Sequence, residues 1–173
     1  QERVPEAAVL GAARGKLFFS STVCPEACLK LLTVENLFGY VDQICGLPTT
    51  VDGLDVIEEW VGGLDLEPAI VLHHQLHGAP QQPSFRITAQ RAGNQDYNSM
   101  EIAAAAGAGV VEHYGWDVDL EGYDYDVRVY VSGNTAVAGV RLTEKTLHKR
   151  SRVKHAAASL NPTVAHAMCR LTA

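Results

Sequence analysis

Apolar positions along this chain fall into short runs whose period switches between two and about 3.6 residues. Ala7 to Leu10 and Lys16 to Ser20 flank a turn bounded by Gly11 and Gly15, which predicts two strands. Pro25 stands at a helix start, and Ala27, Cys28, Leu31 and Leu32 follow at helical spacing, predicting a short helix to about Thr33. Asn36 to Ile44 alternates loosely as a strand. Val51 to Val61 repeats apolar residues at Leu54, Ile57 and Val61 with acids between, a helix ended by Gly62 and Gly63. Ala69 to Leu76 is read as a further strand. Gly78 to Pro83 has linker composition, and the domain boundary is placed there. Beyond it, Phe85 to Arg91 alternates cleanly as a strand, and Ser99 caps a helix running to about Tyr114. Asp126 to Val131 and Ala136 to Leu142 flank Ser132 to Thr135 and predict a hairpin. Asn161 caps a last helix with Pro162 at its first position and Val164, Ala165, Met168 and Leu171 on one face. The fold class is α+β, a sheet with helices on one face.

Charge changes the picture more than composition does. The 173 residues are 47% hydrophobic and 20% charged, which excludes a disordered chain, and the formal net charge is −6. No apolar run approaches the ~20 residues that cross a bilayer. Cys24, Cys28, Cys45 and Cys169 form no disulfide-dense framework and read as reduced thiols of a cytoplasmic protein. From Leu31 to Phe85 there is no Lys or Arg, whereas Asp42, Asp52, Asp55, Glu58, Glu59, Asp65 and Glu67 all fall there. That half repels nucleic acid. The opposite balance holds between Arg141 and Lys154, where Arg141, Lys145, Lys149, Arg150, Arg152 and Lys154 supply six of the chain's 14 Lys and Arg. A dense cationic segment in an acidic protein points to a surface for a polyanion.

Other chemistry fares less well. His73, His74 and His77 resemble a ligand cluster, but neighbours on a strand point to opposite faces and do not readily share a metal. Cys24 and Cys28 lack two further ligands and read as thiols. Gly107 and Gly109 lie inside a helix, not at a strand-to-helix turn, so they build no nucleotide loop. Asp117, Asp119 and Glu121 imitate the start of a calcium loop, but Arg128 stands where the closing Glu belongs, leaving a solvated turn. Trp116 reads as a core anchor.

Four stretches carry a resemblance: Phe85 to Gly93, His113 to Trp116 at a helix end, Val137 to Thr143, and Leu147 to Arg150. Together they resemble the THUMP family of RNA-modifying enzymes. Asn161 to Met168 is similar to the helix leading into the catalytic domain of the THUMP guanosine-N2 methyltransferases. Arg14 to Phe19 and Thr33 to Phe38 resemble the ferredoxin-like domain that precedes THUMP there. The resemblance implies a truncated ferredoxin-like domain at 1–78, a linker at 79–83, a THUMP domain at 84–155 and a lead-in helix at 156–173. It also implies a partner, the single-stranded 3′ acceptor end of transfer RNA. Arg86, Arg91, Lys145, His148, Lys149, Arg150, Arg152 and Lys154 are the candidate RNA-binding residues, with Arg150 where the family keeps an arginine. Tyr97, Asn98 and Ser99 are further candidates, because a helix N-terminus favours a phosphate.

Two departures accompany the resemblance. Only six residues precede Ala7, where a complete ferredoxin-like domain has a strand and a helix. The S-adenosylmethionine loop and catalytic tetrapeptide of the family do not occur in the chain and are expected after Ala173. With Gln1 rather than Met first, the sequence reads as the RNA-recognition part of something longer, with no cofactor of its own and no catalysis by itself. In the full-length family the cofactor is S-adenosylmethionine, and a small zinc-containing activator subunit binds the catalytic domain. Two alternatives stand beside the methyltransferase reading: a non-catalytic THUMP adaptor that serves another RNA-modifying enzyme, and an inert fragment with an exposed sheet edge.

Overall fold

The computed structural model describes residues 7–13, 15–147 and 160–172. They form a mixed α/β structure in two compact units, one of residues 1–37 with 142–173 and the other Phe38–Arg141.

In the first unit, β1 (Ala8–Ala13) and β2 (Lys16–Ser20) pair antiparallel as the alternation predicts, with a bulge between Val9 and Gly11. Gly15, at φ +71°, adopts the left-handed backbone that the turn needs. The helix that begins at Pro25 is shorter than its spacing predicts: α1 is Pro25–Cys28 and buries Cys28. The segment before the second unit lies against the segment after it. Leu142 N donates to Leu37 O at 2.9 Å, and Leu147 N to Glu35 O at 2.7 Å. Asn161 reaches the same Glu35 through Nδ2 at 2.6 Å. Its Oδ1 accepts from Thr163 N and so caps α5 (Pro162–Leu171).

The second unit is built on a five-stranded sheet in the order β3-β7-β6-β4-β5. These strands are β3 (Phe38–Cys45), β4 (Ser84–Ala92), β5 (Asp117–Val118), β6 (Tyr125–Ser132) and β7 (Thr135–Arg141). β6 and β7 form the predicted hairpin, closed through Gly133 at φ +60°. β4 and β6 are parallel, so the chain between them must cross over a face of the sheet, and α4 (Ser99–Tyr114) makes that crossing. α2 (Gly53–Gly62) and α3 (Glu67–His77) pack with α4 around the same core. Ile57, Val61, Phe85, Ile102, Val110, Val127 and Val140 are fully buried there. Trp116 packs at its margin against Phe85, Tyr114 and Tyr125, as expected of a core anchor.

Two expectations fail here. Residues 69–76 are not a strand but most of α3. Pro68 pre-sets the first turn, Glu67 sits at its positive end, and His74 and His77 lie in its last turn. Leu66, Ala69 and Ile70 are buried on one side of it. A short apolar run containing Ile70 and Val71 fits either period, and packing decides. Ala69 comes so close to β3 that a Cβ on Gly39 would lie 2.9 Å from its own. The boundary also differs from the one placed at Gly78–Pro83. That stretch joins α3 to β4 inside the second unit, and β3, expected in the other domain, pairs along β7 from Phe38↔Arg141 to Cys45↔Thr135.

Glycine sets the approach of α2 to α4. A Cβ on Gly109 would stand 2.4 Å from Glu58 O and 2.8 Å from Gly62 N, both backbone atoms of α2. Beyond the crossing, Tyr114 Oη donates to Leu64 O at 2.7 Å and accepts from Leu66 N at 3.0 Å, fixing the α2–α3 turn. Gly109→Ala should therefore force the helices apart and lower unfolding stability by about 2 kcal/mol. Gly107→Ala, whose Cβ would meet only Ile87 Cγ1 at 3.7 Å, should raise it by about 0.5–1 kcal/mol through helix propensity. Denaturant melts of the two variants check the opposite signs.

Candidate nucleic-acid interface

Because α2, α3 and α4 all pack on one side of the second unit's sheet, strand alternation gives the other side a distinct character. Its side chains line up in rows set by the register. Tyr40 stands opposite Gly139, Gly139 opposite Arg128, and Arg128 opposite Thr88. In the next row Gln43, Val137, Tyr130 and Gln90 follow the same order across β3, β7, β6 and β4. On the other flank Phe38 pairs with Arg141, and Asp126 with Arg86.

Asp126 is the centre of this face. Its side chain is only 4% exposed, yet three guanidiniums converge on its Oδ2. Arg128 donates through Nη2 at 2.8 Å and Nε at 3.1 Å, and Arg86 through Nη2 at 3.1 Å. Arg141 Nη1 completes the set at 3.6 Å. Thr88 Oγ1 donates to Oδ1 at 2.7 Å. Burial alone pushes the Asp126 carboxyl upward. The hydrogen bonds from Arg86 and Thr88 and the charges of Arg128 and Arg86 outweigh it and hold the group below the usual carboxylate range. Arg86 and Arg128 together outnumber the one carboxylate they share, so positive charge is held on side chains whose geometry the carboxylate fixes. The Arg86 guanidinium also lies 3.9 Å from the centroid of the Tyr123 ring, which braces it from the side.

The helix side is of opposite sign. Asp55, Glu58, Glu59, Glu112 and His113 line an open groove where α2 meets α4. The second unit is electrostatically two-faced.

The expected RNA-binding residues are distributed unevenly. Arg86 belongs to the cationic face. Arg91 does not, because it stands an odd number of positions along β4 from Arg86 and so faces the other side of the sheet; its Nη1 donates to Gly93 O at 3.1 Å and Gln95 Oε1 at 3.4 Å. Lys145 is exposed in the first unit. His148, Lys149, Arg150, Arg152 and Lys154 lie outside the described residues. Asp126, Arg128 and Tyr40 were not among the expected residues, and Arg141 only as part of the basic run. The even spacing of Arg86 and Thr88, and of Asp126 and Arg128, puts each pair on one side of its strand, but without the register nothing in the sequence brings the two pairs together.

The α4 N-terminus is closed to an external phosphate. Asn98 Oδ1 accepts from Met100 N and Glu101 N, Glu101 Oε2 accepts from Asn98 N at 2.7 Å, and the Tyr97 hydroxyl donates to Pro48 O. The cap is Asn98, not Ser99. The turn before it is filled by Gln95, whose Nε2 donates to Ala92 O and Gly133 O. With Gln95 filling the space beside Gly93, this strand-to-helix turn does not fit a nucleoside cofactor such as S-adenosylmethionine.

The histidines need a different argument from the one their expected strand supplied. On α3, His73 and His77 are one turn apart with ring centroids at 4.6 Å, and His74 Nε2 lies 2.7 Å from Tyr125 Oη. Among the described residues no group of three or more His, Cys, Asp or Glu is placed to hold a metal ion. Asp119 spends its carboxylate on Glu121 N and Gly122 N, a self-contained turn, and those backbone bonds hold its pKa below the usual value. All four cysteines are free. No helix among the described residues is long and apolar enough to cross a membrane.

Residues 69–141 match the THUMP domain model. The chain is 33% identical over 93 residues to the tRNA (guanine(6)-N(2))-methyltransferase THUMP3 of Homo sapiens, covering 53% of this chain and 18% of that one. It is 32% identical over 171 residues to the tRNA (guanine(6)-N2)-methyltransferase of Archaeoglobus fulgidus, covering 91% of this chain and 39% of the relative. The crystal structure of TrmN from Thermus thermophilus is similar with a TM-score of 0.70 and 30% identity, over 95% of this chain and 46% of that one. The chain thus spans less than half the length of each.

The folded pKa of Asp126 lies below its unfolded value, so its contribution is complete above about pH 4 and lost as pH falls through the folded value. Asp126→Asn should cost about 2–3 kcal/mol at pH 7, because three guanidiniums lose the carboxylate they share. Urea melts of both proteins should converge as pH drops below about 4. A gap that persists undiminished in acid would mean that charge is not what Asp126 supplies.

Proposed function

With a THUMP domain at residues 69–141 as the premise, we propose that this chain is the transfer-RNA-binding part of a tRNA guanosine-N2-methyltransferase. It grips the single-stranded 3′ acceptor end, so that a nucleoside at a fixed distance reaches a catalytic domain carried elsewhere in the full-length protein. The observation that carries the reading is the cationic sheet face, where Arg86, Arg128 and Arg141 gather around one buried carboxylate in an otherwise acidic molecule. Lys145, His148, Lys149, Arg150, Arg152 and Lys154 add charge for phosphates in this reading, and Arg91 extends the footprint.

Methyl transfer from S-adenosylmethionine, and the zinc-containing activator subunit, belong to the full-length protein. The first unit's β1–β2 hairpin is in this reading the remnant of a ferredoxin-like domain. α5 is the lead-in to catalysis: Val164, Met168 and Leu171 are exposed on one stripe, which supports a further body packing there. That stripe also favours the methyltransferase lineage over a free-standing adaptor. The place of action is the cytoplasm, where transfer RNA is available.

Binding of the chain to transfer RNA with and without its 3′ CCA, over a salt series, tests the reading. Removing CCA should weaken binding about tenfold or more, consistent with loss of stacked, unpaired nucleotides. Lys149→Ala/Arg150→Ala should flatten the log–log salt slope by roughly 1.5 if each residue neutralises one phosphate. Equal, feeble binding of both RNAs by the unsubstituted chain would sink acceptor-end recognition.

A further inference from the structure

The helix-free face of the second unit holds more than charge. Phe38 and Tyr40, on the edge strand β3, remain 41% and 53% exposed on it. Both are large aromatics at positions where an edge strand ordinarily carries polar residues. Next to Tyr40 the register places Gly139, which has no side chain, and beyond Gly139 stands Arg128. Strands lie about 4.8 Å apart, so Tyr40 and Arg128 border a floor about 10 Å across that glycine leaves low. The Arg128 guanidinium lies 5.9 Å from the Phe38 ring centroid, so the cation and the aromatics share one surface. Its orientation is fixed by its two bonds to Asp126.

We propose that Tyr40, Phe38 and the Gly139 floor form a stacking platform for an unpaired RNA strand, with Arg128 and Arg86 holding the phosphate beside the stacked base. The proposal rests on the transfer-RNA reading above and adds to it the surface and the mode of contact. An unpaired strand is the ligand whose chemistry fits. It offers flat π-faces to the aromatics and a phosphate at every nucleotide to the excess positive charge. A duplex keeps its base faces stacked inside and offers only phosphates and groove edges, for which exposed aromatics have no use. Gly139 itself does not tolerate a side chain: a Cβ there would lie 2.8 Å from Gly39 O and 3.8 Å from Phe38 Cβ. The gap between ring and guanidinium is thus built into the sheet.

The test uses the full chain and three RNAs: transfer RNA, a seven-nucleotide single strand ending in CCA with 2-aminopurine as the terminal base, and a blunt duplex of the same length. Tyr40→Ala should weaken binding of the single strand about tenfold and abolish quenching of the 2-aminopurine. Tyr40→Phe should keep both within about twofold, since stacking needs the ring and not the hydroxyl. Phe38→Ala should weaken the single strand as well. Tyr40 and Phe38 are both partly exposed, and the unfolding midpoint of each variant, measured alongside, separates lost binding from lost fold. If the unsubstituted chain distinguishes transfer RNA with and without CCA, but Tyr40→Ala and Phe38→Ala change neither affinity nor quenching, the platform is wrong and the functional reading stands. If the unsubstituted chain ignores CCA, both fall together. Equal affinity for the duplex, with equal sensitivity to Tyr40→Ala, would overturn the choice of an unpaired strand.

Discussion

One buried carboxylate organises the cationic face of the second unit. Without Asp126, the side chains of Arg86, Arg128 and Arg141, from three different strands, would repel one another across the sheet. With it, all three point to a single oxygen atom, Arg128 through two of its nitrogens. The same carboxylate ties β4 to β6 through Thr88 and Arg86, where those strands run parallel. The arrangement is therefore both a clamp on the sheet and a way to hold excess positive charge in place. A cation held in advance of its ligand loses less conformational freedom on binding than a flexible lysine does.

The opposite side depends on closeness instead of charge. Gly62 and Gly109 let α2 and α4 meet at backbone distance, and Gly39 lets α3 settle on β3 through Ala69. These contacts commit all three helices of the unit to one side of the sheet. Aromatic residues on β3 then remain exposed on the other side without a helix of this unit to cover them. Packing on one face and an open, helix-free surface on the other are two results of the same choice.

Local patterns in the sequence carried much of this. Clean alternation marked β4 and the β6–β7 hairpin, and Asn161 with Pro162 marked α5, because each signal lies within a few neighbouring residues. What failed was decided at long range. Ala69 to Leu76 has an apolar run that fits a strand, and the packing of Ala69 on Gly39, with Pro68 in the first turn, goes with a helix instead. Gly78 to Pro83 has the composition of a linker, and only the pairing of β3 with β7 shows that it is an internal loop. The site divides in the same way. Arg86 was legible because a basic residue on an alternating strand stands out. Its companions Asp126 and Arg128 were not, because alternation gives the side of the sheet that a residue faces but no register to say which strand lies beside it. Tyr40 was hidden twice, on a loosely alternating strand whose partner strand lies near the other end of the unit.

Charge distribution finally bears on how an RNA strand would approach the second unit. Asp55, Glu58, Glu59 and Glu112 face outward from α2 and α4, while the excess positive charge lies across the sheet. A polyanion nearing the helices meets repulsion, and one nearing the sheet meets attraction, over distances up to about 8 Å at physiological salt. A net charge of −6 is then no argument against nucleic-acid binding. The acidic side narrows the productive orientations to those that bring the strand to β3, β7, β6 and β4, where the aromatics wait beside the guanidiniums. Net charge bears on solubility; the separation of the two signs by a single layer of strands bears on which side a polyanion can approach.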